Sequence, residues 1–365
     1  MATTEIPFLL GMIVETQTTR GTATPMPAIA GGGGTAGAFD LADGAVLGDP
    51  SAGVGETGIS ISFGKNITEK AVQTGSYTRD FANYVARTVE SFQVAVPLKG
   101  NGGTTTGGAA VATDFTPDAG IVALYRAAGL VGAASGTQWK FTPTSTELIT
   151  AAIMFGNESS NGMQVIIKDV EAKSLTFDFT PGETATAVYD LGGILDSVNE
   201  TGSWPAAPFE YGNQSSLSAP AVQEVAFQWG PSTPTARAVG FSQLSITIDL
   251  GAEDVLSSNA TGGIVPRQTG REIKVSGIID AAAADFTYEL DQLAESLIAN
   301  ADVLSFQIGT AAGAAATANA LAFQLSDVEL VALEAADPLG DSQAWSVELI
   351  ARSATANGEF ELFYL

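Results

Sequence analysis

Cysteine and histidine are both absent from this 365-residue chain. Disulfides, thiolate nucleophiles, Cys/His zinc sites and imidazole general bases are excluded with them. Any catalysis would have to run on carboxylates, lysine, tyrosine or hydroxyls. Basic residues are also scarce: 15 Lys and Arg stand against 40 Asp and Glu, for a formal net charge of −25. Both halves share the deficit, with 20 acids and 10 bases in residues 1–205 and 20 acids and 5 bases in 206–365. Affinity for DNA comes largely from Lys and Arg that neutralise phosphates, so a protein that grips nucleic acid is not expected. Acidic surfaces keep proteins soluble, and they also let DNA pass without adhering.

Long apolar runs are missing from the start of the chain. Its first residues carry no basic cluster, and the apolar stretch 6–14 is too short for a signal sequence or a bilayer span. A product made in the cytoplasm, with no membrane insertion, is therefore expected. Motifs for phosphate, metal or catalysis are equally thin. Gly31-Gly32-Gly33-Gly34 and the glycine-rich stretch 100–108 lack a following Gly-Lys-Ser/Thr and read as loops. Asp40-Leu41-Ala42-Asp43-Gly44 lacks the alternating carboxylates and terminal Glu of a calcium loop and reads as a turn. Asp249, Glu253 and Asp254 gather after a strand, a charge cluster of the solvated kind. Asn66, Asn157, Asn199, Asn213 and Asn259 each begin an Asn-x-Ser/Thr triplet, which has meaning only in a eukaryotic secretory pathway. No Ser, Lys and acid arrangement suggests an enzyme, and no cofactor or metal is expected.

What the chain has is internal correspondence. The alternating run Ile59-Ser60-Ile61-Ser62-Phe63 returns 185 residues later as Leu244-Ser245-Ile246-Thr247-Ile248. Each copy is followed, after a loop of twenty-odd residues, by a second run: Arg87-Thr88-Val89-Glu90-Ser91-Phe92 and, at an offset of 184, Arg271-Glu272-Ile273-Lys274-Val275-Ser276. Further on, Lys168-Asp169-Val170-Glu171 precedes Ser326-Asp327-Val328-Glu329 by 158 residues, and at the same offset 184–191 falls on 342–349. Strands kept in step across loops of unrelated sequence are the mark of duplication.

With 45% apolar residues, the length suits two domains with cores of their own. The reading is mainly β, with sandwich- or barrel-forming sheets and one short helix per domain. It comprises an extended Gly/Thr-rich arm (1–50), a first domain (51–200), a linker (201–220) and a second domain (221–365). The first helix is marked by Thr116 as N-cap, Pro117 at its first position, Ile121, Leu124 and Ala128 on one face, and Gly129 at its end. Strands are expected at 151–155, 164–170, 174–179 and 185–191, with Pro181-Gly182 as a turn. The second helix is expected at 286–299.

Several of these segments carry a resemblance. The run 87–98, the helix ending in Ala127-Ala128-Gly129-Leu130, Thr176-Phe177-Asp178-Phe179-Thr180-Pro181-Gly182 after a preceding strand, and the closing stretches 303–310 and 321–333 follow one order. That order resembles the major tail tube proteins of long-tailed, non-contractile (siphovirus-type) bacteriophages, over residues 55–365. The resemblance implies a virion protein made in the host bacterial cytoplasm. It also implies rings stacked into a tube, an inner β-barrel around a DNA channel, a helix packed outside, and contact with tape measure and tail terminator or baseplate proteins. A chain with two such domains resembles the duplicated tube proteins, which form trimeric rings of hexamer-like shape. The alternative is another acidic, β-rich assembly protein of a capsid or surface layer.

Two groups of residues follow as candidates. Carboxylates of Glu90, Asp169, Asp178, Asp327 and Glu329 are expected toward the channel, where like charge repels phosphates. The loops 64–86 and 249–270, long enough to be functional, are expected to hold rings together. The first offers Lys65, Lys70, Tyr77, Arg79, Phe81 and Tyr84, and the second Asp249, Glu253, Asp254 and Arg267.

Overall fold

The computed structural model describes residues 9–24, 59–62, 67–72, 80–85, 89–100, 117, 119–136, 138–157, 160–201, 220–222, 226–230, 237–256, 264–268, 270–280, 302–310, 319–336, 344–352 and 357–365. In the first half these form β1 (Leu9–Thr16), β2 (Ile59–Ser62), β3 (Ile67–Val72), β4 (Asp80–Val85), β5 (Val89–Pro97), α1 (Ala119–Ala127), β6 (Leu130–Ser135), β7 (Gln138–Pro143), β8 (Ile149–Asn157), β9 (Ser160–Phe179) and β10 (Thr186–Thr201). In the second they form β11 (Ala226–Gly230), β12 (Arg237–Asp249), β13 (Ala252–Leu256), β14 (Ile264–Gln268), β15 (Glu272–Asp280), β16 (Asp302–Thr310), β17 (Asn319–Ala336), β18 (Ala344–Ala351) and β19 (Phe360–Tyr364). The protein is thus mainly β, as its alternating sequence requires. Along β15, for example, Ile273, Val275, Gly277 and Ile279 are buried while Glu272, Lys274 and Ser276 between them reach solvent, the period of two that a half-buried strand imposes.

Fifteen strands join in one antiparallel sheet. In the second half the pairings return on themselves: β11 pairs β12, then β15, β18, β17 and β16 follow, and β16 pairs β11 again. The first half has the same succession, β1, β8, β9, β10, β5 and β2. Among the described residues its circuit stays open between β1 and β2. The two circuits meet where β12 pairs the last residues of β9. β19 then leaves β17 to pair the β6·β7 hairpin, tying the end of the chain to its first half.

Registers in the two halves correspond pair by pair. Leu191 opposite Phe92 is matched by Leu349 opposite Val275, and Asp190 opposite Ser174 by Glu348 opposite Ala332. Both long strands skip one residue at the same place, Lys173 in β9 and Val331 in β17. They also share a pivot. Asp169 and Asp327 have φ of 51° and 50°, in the left-handed region that non-glycine residues other than Asn and Asp seldom enter. The offset of 184 is corrected to 183, since it would set Phe92, which is buried, against the exposed Ser276, and a one-residue slip turns a strand inside out.

Three other expectations change. Residues 9–16, assigned to the extended arm, form β1 in the sheet. The stretches 164–170 and 174–179 are one bent strand, β9, because the pivot at Asp169 and the bulge at Lys173 turn the chain without ending its pairing. The loops 64–86 and 249–270 fold as hairpins, β3·β4 and β13·β14. The second helix (286–299), Thr116 and nearly all of the linker lie outside the described residues.

One buried cluster joins the halves. α1 lies against β1, β6, β8 and β9, with Leu124, Tyr125, Ala127 and Ala128 fully or almost fully buried. Gly129 closes the helix at φ 71°, where a Cβ would stand 3.0 Å from the carbonyl oxygen of Thr144. Tyr125 packs on Phe141, Phe177 and Tyr189, and its hydroxyl lies 3.3 Å from that of Tyr364. Beyond them Phe177, Phe179, Phe306, Phe323 and Phe360 continue the cluster with ring centroids 4.9 to 6.3 Å apart.

Candidate assembly surface

Strand alternation sends one face of the sheet to the core and leaves the other polar. On that polar face the strands line up their side chains in rows. One row runs Gln93, Asp190, Ser174, Asp249, Glu272, and another runs Thr186, Asp178, Ser245, Ser276, Glu348. Between the rows Thr176 and Thr247 bring their hydroxyls to 3.3 Å, and Lys274 stands beside Thr247. Neither row contains a Lys or Arg, and Lys274 stands between them. Its Nζ lies 3.1 Å from Glu272 Oε2. Its pKa is raised first by that hydrogen bond and then by the charges of Glu272, Glu348 and Asp249. The face is acidic in fact as well as in composition.

The five carboxylates expected toward a channel divide. Asp178 stands on this face, half-exposed among serines and threonines. Asp169 does not: it is buried, accepts hydrogen bonds from Gln17 Nε2 and from the Gly21 N–H at 2.7 Å, and so fastens the segment after β1. Gln17 completes the clasp, accepting from the Asp169 N–H at 2.9 Å and from the Thr150 hydroxyl at 3.0 Å. A buried carboxylate requires such donors. Glu90 lies in β5 with its backbone opposite Gly193 of β10. Asp327 sits at the second pivot, and its carbonyl accepts the Arg352 N–H at 3.1 Å. Glu329 lies 3.6 Å from Arg352 Nε. Sequence reasoning missed Asp190, Glu272 and Glu348. Their signal was available in the alternation, since each is flanked by buried residues: Tyr189 and Leu191, Ile273, and Val347 and Leu349.

The two hairpins leave the sheet at equivalent points. Ile67 opposite Val85 in the first corresponds to Ala252 opposite Gln268 in the second, and Ala71 opposite Phe81 to Leu256 opposite Ile264. The two-residue difference in offset falls at their tips. Among the described residues each hairpin pairs only with itself, and an isolated two-stranded ribbon is marginally stable in water. Lys70 is on β3, and Phe81 and Tyr84 are on β4. Glu253 and Asp254 are on β13, with Arg267 of β14 directly opposite Glu253. Asp249 ends β12 and caps the turn, accepting the Gly251 N–H at 2.9 Å. Lys65, Tyr77 and Arg79 lie outside the described residues.

The sheet also has unpaired edges. Among the described residues, β2 pairs only with β5, and residues 332–336 of β17 pair only with β18. No group of acidic side chains among the described residues is arranged to hold a metal ion, and no helix there is long and apolar enough to cross a membrane. No protein-family model matches the chain, and no curated protein sequence matches it.

Proposed function

We propose that this protein is a structural subunit of a phage-type tail tube, built from a tandem repeat and polymerising as stacked rings around an acidic channel for DNA. The observation that carries the reading is the pair of equivalent strand circuits, in register through strands, bulges, pivots and hairpins, in a sheet with edges left unpaired among the described residues. A sheet edge must be guarded or used, and joining the edges of successive copies around a ring removes them. Head-to-tail contacts between rings do not close, so they extend into a filament. In this reading the polar face with Asp178, Asp190, Asp249, Glu272 and Glu348 lines the channel, and a wall of that sign keeps phosphates from adsorbing. The hairpins reach the neighbouring ring, in place of the loops expected from sequence. Tape measure and tail terminator or baseplate proteins would be its partners in the virion.

Electron microscopy of the purified protein, with mass measurement of single rings, tests the proposal. Tubes whose rings hold three chains and six similar units are expected. Rings of six full chains would overturn the repeat, and isolated particles that never stack would favour a capsid decoration or surface-layer protein instead.

A further inference from the structure

Inside the chain, one junction joins the two halves edge to edge. β12 runs antiparallel to residues 174–179 of β9, with Ser245 opposite Asp178, Ile246 opposite Phe177 and Thr247 opposite Thr176. Beyond the last pair the Leu250 N–H donates to the Lys173 carbonyl at 3.0 Å. By alternation, Thr247 and Thr176 then form a non-hydrogen-bonded pair, the closer kind, in keeping with their hydroxyl contact. In the register correspondence β12 maps on β2 and β9 on β17. Carrying the junction across that correspondence sets Ser60, Ile61 and Ser62 against Ala336, Ala335 and Glu334. Both edges are unpaired among the described residues.

Burial supplies a second, independent observation. Leu175, covered at the junction, is fully buried, whereas its counterpart Leu333 is only partly buried. Val331, the counterpart of Lys173, is 46% exposed, one of two large exposed hydrophobics among the described residues. Among the described residues no strand lies beside this stretch of β17, where β12 lies beside β9. The strand available brings no protection of its own: Ile59-Ser60-Ile61-Ser62 carries no charge or proline and pairs with β5 without a bulge, features by which edges are often guarded.

We infer that β2 of one copy adds antiparallel to β17 of a second copy of this chain, with Ser62 opposite Glu334, Ile61 opposite Ala335 and Ser60 opposite Ala336. Main-chain hydrogen bonds carry such strand addition, and alternate side chains give it register. The contact is heterologous, so it closes or runs on according to the rotation it imposes. Its closure after three chains rests on the tube reading above. The pairing itself does not.

The absence of cysteine makes the test direct. The Ser62→Cys and Glu334→Cys variants are mixed, assembled and oxidised. The closely facing non-hydrogen-bonded pair suits disulfide geometry, and covalent dimers are expected. They should form at least about tenfold faster than from Ser60→Cys mixed with Glu334→Cys, which is two residues out of register and separated diagonally by about 7 to 8 Å. The double variant S62C/E334C should give a covalent ladder that ends at three chains. Equal rates for the two mixtures, or closure of the double variant within a single chain, would overturn the pairing. Hydrogen exchange on the unmodified protein covers the case of variants that do not fold. Amides in 59–62 and 331–336 should slow on assembly, and no slowing in assembled protein would also overturn it. Cross-linked trimers that never stack would leave the pairing standing and sink the tube. Tubes in which Ser62 and Glu334 positions fail to cross-link would do the reverse.

Discussion

Tyr125 holds the molecule's two halves at a single side chain, between Phe141 and Phe177 with its hydroxyl toward Tyr364. Burial pushes its pKa from 10.0 up to about 12. Tyr189 beside it is raised well above 10.0, first by burial and then by Tyr125. A raised pKa means that the unfolded chain gives up protons that the folded state keeps. The stability from these hydroxyls is therefore intact below about pH 10 and drains as pH rises through the folded values. At about 1.4 kcal/mol per pKa unit, Tyr125 alone accounts for about 2 to 3 kcal/mol across that window. Tyr125→Phe should lose about 1 kcal/mol at neutral pH with the hydrogen bond to Tyr364, yet show a shallower fall in urea midpoint from pH 9 to 11.5. An unchanged alkaline slope would show that this hydroxyl is not what titrates. The two left-handed aspartates show residue-scale divergence inside a common backbone. Both turn a long strand at the same point, while Asp169 spends its side chain on the N-terminal segment.

At the scale of elements, the hairpins were legible in position and not in form. Their flanking strands announce themselves by alternation. The hairpins themselves have little of it, since Thr68, Glu69 and Lys70 are successive polar residues. Their pairing is fixed by the strands that lead in and out. That makes β3·β4 removable: Ile67 and Val85 are directly paired, so a two-residue turn between them can replace 68–84. The shortened chain should stay folded, with a melting temperature within a few degrees of the parent, and should form no tubes in negative-stain images. Tubes of normal length from the shortened chain would remove the hairpin from the stacking contact.

The whole molecule presents an acidic wall whose members come from strands far apart in sequence. If that wall is the channel, its charge is what keeps DNA moving. Asp178→Lys combined with Glu348→Lys changes two half-exposed positions, where substitutions usually shift stability by less than about 0.5 kcal/mol each. Tubes of the double variant should form normally and retain short duplex DNA at low salt. Retention should fall with salt at a slope increased by about one for each phosphate newly neutralised. Parent tubes should retain none. Variant tubes that bind no more DNA than the parent would place this face elsewhere.

Sequence alone determined the class, because alternation with a period of two is a local property that each strand carries by itself. It also matched β2 with β12, β5 with β15, and stretches of β9 and β10 with stretches of β17 and β18, and it marked α1 with its glycine stop at Gly129 and the turn at Pro181-Gly182, where Gly182 has φ 86°. It determined the chemistry that is absent, since a chain without Cys or His has no such side chains to place. Tertiary structure decided everything that depends on which strand lies beside which. It fixed the offset of 183, because only pairing reveals that Phe92 must share a face with Val275. It kept β9 continuous through the pivot and the bulge, joined the core across both halves through Tyr125, Phe177 and Phe323, and sent Asp169 inward while leaving Asp178 outward. The physical reason is range. Periodicity and turn chemistry act over a few residues, whereas register, burial and edges are settled by partners far along the chain, as where Phe92 faces Leu191 and Tyr125 meets Tyr364.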